Sequence, residues 1–192
     1  MARISARMPM IAKITEAENG DVTFTNAIAV GKMIKTTVAP VVISGQLAAD
    51  DDPAAEDVTY YDGANITLNS STLPTKAAVM MFGSKFTEAN EGSQTPARMD
   101  YGKEDKSDYV AFGFISGEVV DGVKSFKLTI CPKVKFTMPS DEYNTKGNSV
   151  TFSTPSISGK AECDKKDLWK TEYFFNTASE AIAYFKTLFT TA

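Results

Sequence analysis

The chain has 192 residues, of which 43% are hydrophobic and 23% charged, and a formal net charge of −4. That is one domain, residues 1–192, long enough to bury a core without metals or disulfides. The acidic balance argues against a binder that neutralises phosphates with a basic face. The complete lack of histidine rules out a Ser-His-Asp triad, a Cys-His pair and any His-bearing metal site.

The N-terminus carries Arg3 and Arg7, but Lys13 and Glu16 interrupt the apolar stretch that follows, so no secretory core is present. No run of 18 apolar residues exists, and no membrane insertion is expected. Two cysteines, Cys131 and Cys163, fit synthesis in a reducing cytoplasm rather than a disulfide framework.

The pattern along the chain is mainly β. Residues 21–25 alternate around Val22 and Phe24 after an Asn19-Gly20 turn signal. Residues 35–47 are rich in Thr, Val and Ile, with Pro40 marking an edge or a bulge. An acidic loop is expected at 48–57, then a short strand at 65–69 around Ile66 and Leu68. A helix should start near Pro74, which a first turn tolerates, and stop at Gly83. Residues 84–108 are polar and of mixed charge, with Gly92, Pro96 and Gly102. They read as a long loop, beyond the usual ceiling of roughly 12–15 residues for a structureless connection, and such loops are functional or disordered.

The clearest local signal is a long hairpin. Residues 109–120 run into Asp121-Gly122, and residues 123–136 run back, with Asp-Gly supplying a type I′ turn. On the return strand Phe126, Leu128, Ile130, Val134 and Phe136 share one parity, and Ser125, Lys127, Thr129, Lys133 and Lys135 share the other. One buried and one polar face are expected, with Pro132 at a bulge or an edge. About 11 residues at about 3.3 Å each span roughly 36 Å. Further strands are expected at 149–157, where Pro155 shifts the phase, and at 169–175, where Trp169, Thr171, Tyr173 and Phe175 share a face. Thr177-Ala-Ser-Glu180 is a capping box. Behind it Ala178, Ala181, Ile182, Phe185, Leu188 and Phe189 form a helical apolar stripe.

Few residues suggest chemistry. Asp50, Asp51 and Asp52 are the densest carboxylates, and hard cations want several oxygen ligands. No spaced Asp-x-Asp-x-Asp-Gly loop accompanies them, so a solvated acidic loop is the preferred reading. Ser44-Gly45 and Ser158-Gly159 are turn signals, and Gly83, Gly92 and Gly102 are too far apart for a phosphate loop. Cys131 reads as a packing residue, and Trp169, Tyr173 and Phe175 as a core face rather than a stacking platform. No catalytic constellation assembles, so the chain reads as a non-enzyme without cofactors, working through surfaces and sheet edges.

The segment from Tyr109-Val-Ala-Phe-Gly-Phe-Ile, through Gly122-Val-Lys-Ser-Phe-Lys and Lys133-Val-Lys-Phe-Thr-Met-Pro-Ser-Asp-Glu-Tyr, carries a family resemblance. It continues in Asn144-Thr-Lys-Gly-Asn-Ser-Val-Thr-Phe-Ser-Thr-Pro-Ser-Ile-Ser-Gly159, in Trp169 and in the closing Phe175-Asn-Thr-Ala-Ser-Glu-Ala-Ile-Ala-Tyr-Phe. These residues resemble the phi13-type major tail protein family of long-tailed bacteriophages. The Met1-Ala-Arg start, Leu47-Ala-Ala-Asp-Asp and residues 73–83 follow the same order. The resemblance implies a β-sandwich or barrel flanked by an α-helix, with a C-terminal α-helix. It implies a structural tail tube subunit of the virion, made and assembled in the host bacterial cytoplasm. Six subunits would close into a ring, and stacked rings would form the hollow conduit for DNA ejection. Partners would be other copies, the tape measure, tail terminator and distal tail proteins, and double-stranded DNA in passage through the lumen.

Contact candidates between subunits or rings are Lys85, Phe86, Arg98, Tyr101, Lys103 and Asp105 in the 84–108 loop, Asp121 at the hairpin tip, and Lys127, Lys133 and Lys135 on the polar face. Those three lysines argue against that face lining a bore for DNA, because a basic lumen would grip phosphates. They are expected to pair with acids of a neighbour. Two other functions fit the same residues: a carbohydrate- or receptor-binding β-sandwich module at a tail tip, and the tube subunit of a headless tail-like particle.

Overall fold

The structure is a computed structural model that describes residues 2–49, 52–90, 92, 95–120, 122–143, 145 and 154–190. It contains β1 (Ala2–Glu16), β2 (Val22–Ala29), β3 (Met33–Ala49), β4 (Asp52–Ser70) and α1 (Thr75–Phe82). It continues with β5 (Lys85–Thr87), β6 (Arg98–Asp100), β7 (Tyr109–Val120), β8 (Val123–Thr137), β9 (Ser156–Glu162), β10 (Thr171–Phe175) and α2 (Ala178–Thr190). The fold is mainly β, with a flanking and a C-terminal helix, as the pattern predicts.

Eight strands form one antiparallel sheet, seven in the order β2-β1-β7-β8-β9-β4-β3 and the eighth, β10, paired with β8 off this path. The far edge of β8 is divided: Phe126 to Ile130 pair with β10, and Lys133 to Thr137 pair with β9. The sheet curls until β3 approaches β1. The path nevertheless ends at β2 and β3 and does not close into a barrel.

The curl creates two cores, one on each face. Within it, Ile11, Ile66, Leu68, Phe112, Phe114 and Phe136 pack with Ala77, Met81 and Phe82 of α1. On the other face, Phe24, Ile115, Leu128 and Ile130 pack with Ala181, Phe185 and Phe189 of α2. Strand β7 serves both cores, sending Val110, Phe112 and Phe114 to the first and Ala111 and Ile115 to the second. That is why Tyr109 to Ile115 reads as a nearly continuous apolar run rather than an alternation. Helix α2 approaches β7 closely at Gly113, where a Cβ would lie 2.8 Å from the Phe185 ring.

Both helices obey their end signals. Glu180 accepts from the Thr177 N–H at 3.1 Å, and the Thr177 hydroxyl accepts from the Glu180 N–H at 3.3 Å, the reciprocal pair of a capping box. Gly83 closes α1 in the left-handed region, and its N–H donates to the Val79 carbonyl.

Several expectations change. On β8, Pro132 does mark a bulge: the register passes from Val110↔Val134 to Phe112↔Cys131, giving β8 one extra residue. The extra residue flips the parity, so the expected single buried face does not exist. Leu128 and Ile130 face the α2 core, whereas Cys131, Val134 and Phe136 face the α1 core. Lys127 accordingly points to the opposite side from Lys133 and Lys135. Trp169 precedes β10 and joins the first core, while Tyr173 and Phe175 join the second.

The expected loop at 48–57 belongs to a hairpin, because β3 and β4 stay paired as far as Ala49↔Asp52. The 84–108 segment is also organised. Strands β5 and β6 pair, an Asn90↔Thr95 bridge continues the ladder, and Gly102 and Asp105 form a tight turn. Strand β1 was not expected at all. It lacks alternation, and Met8 at φ 58° bulges it before Pro9. The expected strand at 149–157 is described only as β9 from Ser156, because residues 149–153 lie outside the described set.

Candidate assembly surfaces

The 3–4 hairpin leaves the sheet as an arm. Strand β4 pairs with β9 only from Ala64 to Asn69. Beyond that, β3 and β4 pair with each other alone. A bulge marks the departure: the register passes from Pro40↔Ala64 to Val42↔Tyr61, adding a residue to β4. Gly63 makes the bend at φ 109°, and a Cβ there would lie 2.1 Å from the Ala161 carbonyl oxygen. No other residue fits. From the bulge to the tip the arm reaches roughly 30 Å at about 3.3 Å per residue.

The arm exposes large apolar side chains. Ile43 lies opposite Tyr60 and Gly45 opposite Val58, which puts Ile43, Tyr60 and Val58 on one face. Val42 and Tyr61 lie on the other. All five side chains are exposed, Tyr61 by 59%. A two-stranded ribbon has no second layer to cover such residues, so they are an uncovered apolar surface. Sequence reasoning missed Val58, Tyr60 and Tyr61. The available signal was two β-rich runs on either side of an acidic, proline-containing stretch, a pattern similar to the one that revealed the 109–136 hairpin.

A second cluster lies inside the curl, lining a cavity of about 480 Å³ between β3 and the face of β1, β7 and β8. Lys127 Nζ sits 2.9 Å from Glu118 Oε1 and 3.4 Å from Glu172 Oε1. Arg3 approaches Glu118, and Lys170 lies 3.1 Å from Glu172. Burial works to raise the pKa of Glu172, but hydrogen bonds and charge from Lys170 and Lys127 outweigh it and hold the carboxyl below its usual range. The cations and carboxylates answer one another within the chain.

The structure separates the expected contact residues. Lys85, Phe86 and Arg98 lie on the β5–β6 hairpin, and Tyr101 and Lys103 follow it, all exposed. Arg98 pairs with Asp100 at 3.1 Å, and Tyr101 donates to the Met99 sulfur. Asp105 is held in its own turn, its carboxylate accepting from the Gly102 N–H at 2.7 Å. Lys127 is not a surface residue: it is 7% exposed and its charge is met internally, which removes it from the contact set. Lys133 lies 3.7 Å from Glu16 of its own chain. Lys133 and Lys135 flank the Tyr109 ring, their ammonium groups 5.0 and 5.4 Å from its centroid. The Tyr109 hydroxyl donates to Glu162 at 2.8 Å, and that bond, with burial, raises its pKa.

Asp50, Asp51 and Asp121 lie outside the described residues, and Asp52 opens β4. Among the described residues no group of three or more His, Cys, Asp or Glu side chains could hold a metal ion. No described helix is long and apolar enough to cross a membrane. No protein-family model matches the sequence, and no curated protein matches it.

Proposed function

We propose that this chain is the tail tube subunit of a long-tailed bacteriophage, a structural protein of the virion. Copies close into rings, six to a ring, and rings stack into the hollow conduit through which DNA leaves. The observation that carries this reading is the arm, a ribbon roughly 30 Å long whose exposed Ile43, Val58, Tyr60 and Tyr61 call for a partner surface. The open sheet adds to it. Its terminal strands, β2 and β3, leave rows of backbone donors and acceptors that ring closure would occupy. The β5–β6 hairpin, with Phe86 and Tyr101 exposed, offers a second contact to a neighbouring copy or ring. The sequence resemblance supplies the phage context, the partner tail proteins and the passage of DNA.

Negative-stain electron microscopy of the purified, concentrated protein at neutral pH tests the reading. Hollow tubes or six-fold rings are expected. The double substitution Ile43→Asp, Tyr60→Asp should leave a folded monomer and abolish both, because the two side chains touch no core. Tubes formed unchanged by that variant would remove the arm from the assembly. A wild-type chain that stays monomeric, even with tail components supplied as initiators, would leave the tail-tip binding module as the better function.

A further inference from the structure

A cavity of about 820 Å³ lies between β1, α1, the start of β7 and the later part of β8, away from the arm. Four lysines line it, Lys13, Lys76, Lys133 and Lys165, against two carboxylates, Glu16 and Asp108. Lys133 leans toward Glu16 and Lys165 donates to the Ala17 carbonyl. Lys13 and Lys76 have no ion-pair partner among the described residues. The cleft is therefore a net positive pocket on a net negative protein.

A second observation singles it out. Among the described residues, just two buried side-chain oxygens lack a hydrogen-bond partner in the chain, Glu16 Oε1 and Ser84 Oγ, and both line this cleft. Ser84 is 3% exposed. Buried polar groups are nearly always answered, and an unanswered one costs about 1–3 kcal/mol. An occupant that answers these groups brings negative charge for the lysines, a hydrogen-bond donor for Glu16, and a donor or an acceptor for the Ser84 hydroxyl. An inorganic anion supplies charge but few donors. An acidic peptide supplies both, with carboxylates on its side chains and an N–H at nearly every residue.

We infer that this cleft receives the acidic tip of the arm of a second copy. Residues 46–57 carry Asp50, Asp51, Asp52, Glu56 and Asp57 and no basic residue. The described part of this segment, 46–49 and 52–57, belongs to a ribbon that past Gly63 pairs only with itself. Cleft and tip are complementary in charge. The inference rests on the tube reading only in making the occupant another copy of this chain.

The test uses the full chain carrying Ile43→Asp and Tyr60→Asp, which keeps it monomeric, and a synthetic peptide of residues 46–57. Amide NMR shifts are followed up to about 2 mM peptide, enough to reveal even a millimolar Kd. Saturable shifts at Lys13, Lys76 and Ser84 are expected. Adding Lys13→Glu and Lys76→Glu, both on exposed positions, should weaken binding roughly tenfold. A control peptide with its five acids replaced by Asn and Gln should not bind. Absent shifts, equal binding of the control, or indifference to the lysine reversals each overturn the inference. Should wild-type protein form tubes while the peptide fails to bind, the cleft assignment falls and the tube reading stands. Peptide binding by a chain that never assembles separates the two in the opposite sense.

Discussion

Lys127 occupies a position that reads as surface in sequence and is interior in the fold, and replacing it with methionine exposes what the cluster contributes. Methionine keeps most of the aliphatic stem and removes the charge. Glu118, whose side chain is 3% exposed, then retains one cation, Arg3 at 3.6 Å, itself 74% exposed and screened by solvent. The gross attraction between charges 2.9 Å apart is about 6 kcal/mol at an effective dielectric constant of about 20, and desolvation offsets part of it. Stranding one member of a buried pair costs about 3–5 kcal/mol. We expect Lys127→Met to lose about 3 kcal/mol, the low end, because Arg3 remains. Adding Glu118→Gln should recover part of that loss, with a coupling of about 2 kcal/mol. Urea unfolding of the dilute chain reports it, because the single tryptophan, Trp169, packs against the first core. The midpoint should fall at constant slope. A single variant within about 1 kcal/mol of wild type, or a double variant no better than the single, would refute the argument.

Gly113→Ala should destabilise by about 1–3 kcal/mol, since the new methyl would press on the buried Phe185 and Phe189 rings; thermal unfolding unchanged within error would show that α2 gives way freely. Cys131 is fully buried, and its thiol is pushed up to about 12, chiefly by burial. A thiol reagent at mildly alkaline pH should therefore modify Cys163 in the native chain and reach Cys131 only in denaturant, and equal native rates would contradict the packing. The folded pKa of Glu172 lies below the ordinary 4.5, so its contribution is complete above that value and disappears as pH falls through the lower folded pKa. The stability gap between wild type and Glu172→Gln should shrink correspondingly at acid pH; a gap that widens there would reverse the sign.

Some of the fold is legible because its causes are local. The hairpin of residues 109–136, the Thr177–Glu180 capping box and the Pro74 to Gly83 helix depend on residues a few positions apart, and the paired strands β7 and β8, the cap and the helix form where their signals lie. The arm was half legible: residues 35–47 read as a strand, but its partner was hidden behind acids taken for a loop. Strand β1 was not legible, because Met8 and Pro9 break its periodicity. It exists because β7 and β2 offer it hydrogen-bonding edges on both sides.

The functional surfaces divide along the same line. Residue types and periodicity along the chain account for a mainly β body, a capped terminal helix and no histidine-based chemistry. Where the lysines point depends on contacts made across the sheet. Parity assigned Lys127, Lys133 and Lys135 to one polar face, but the bulge at Pro132 turns Lys127 inward, and β10 brings Glu172 to it from 45 positions away. A period of two survives only while the ladder is unbroken, and a single inserted residue reverses every side chain beyond it.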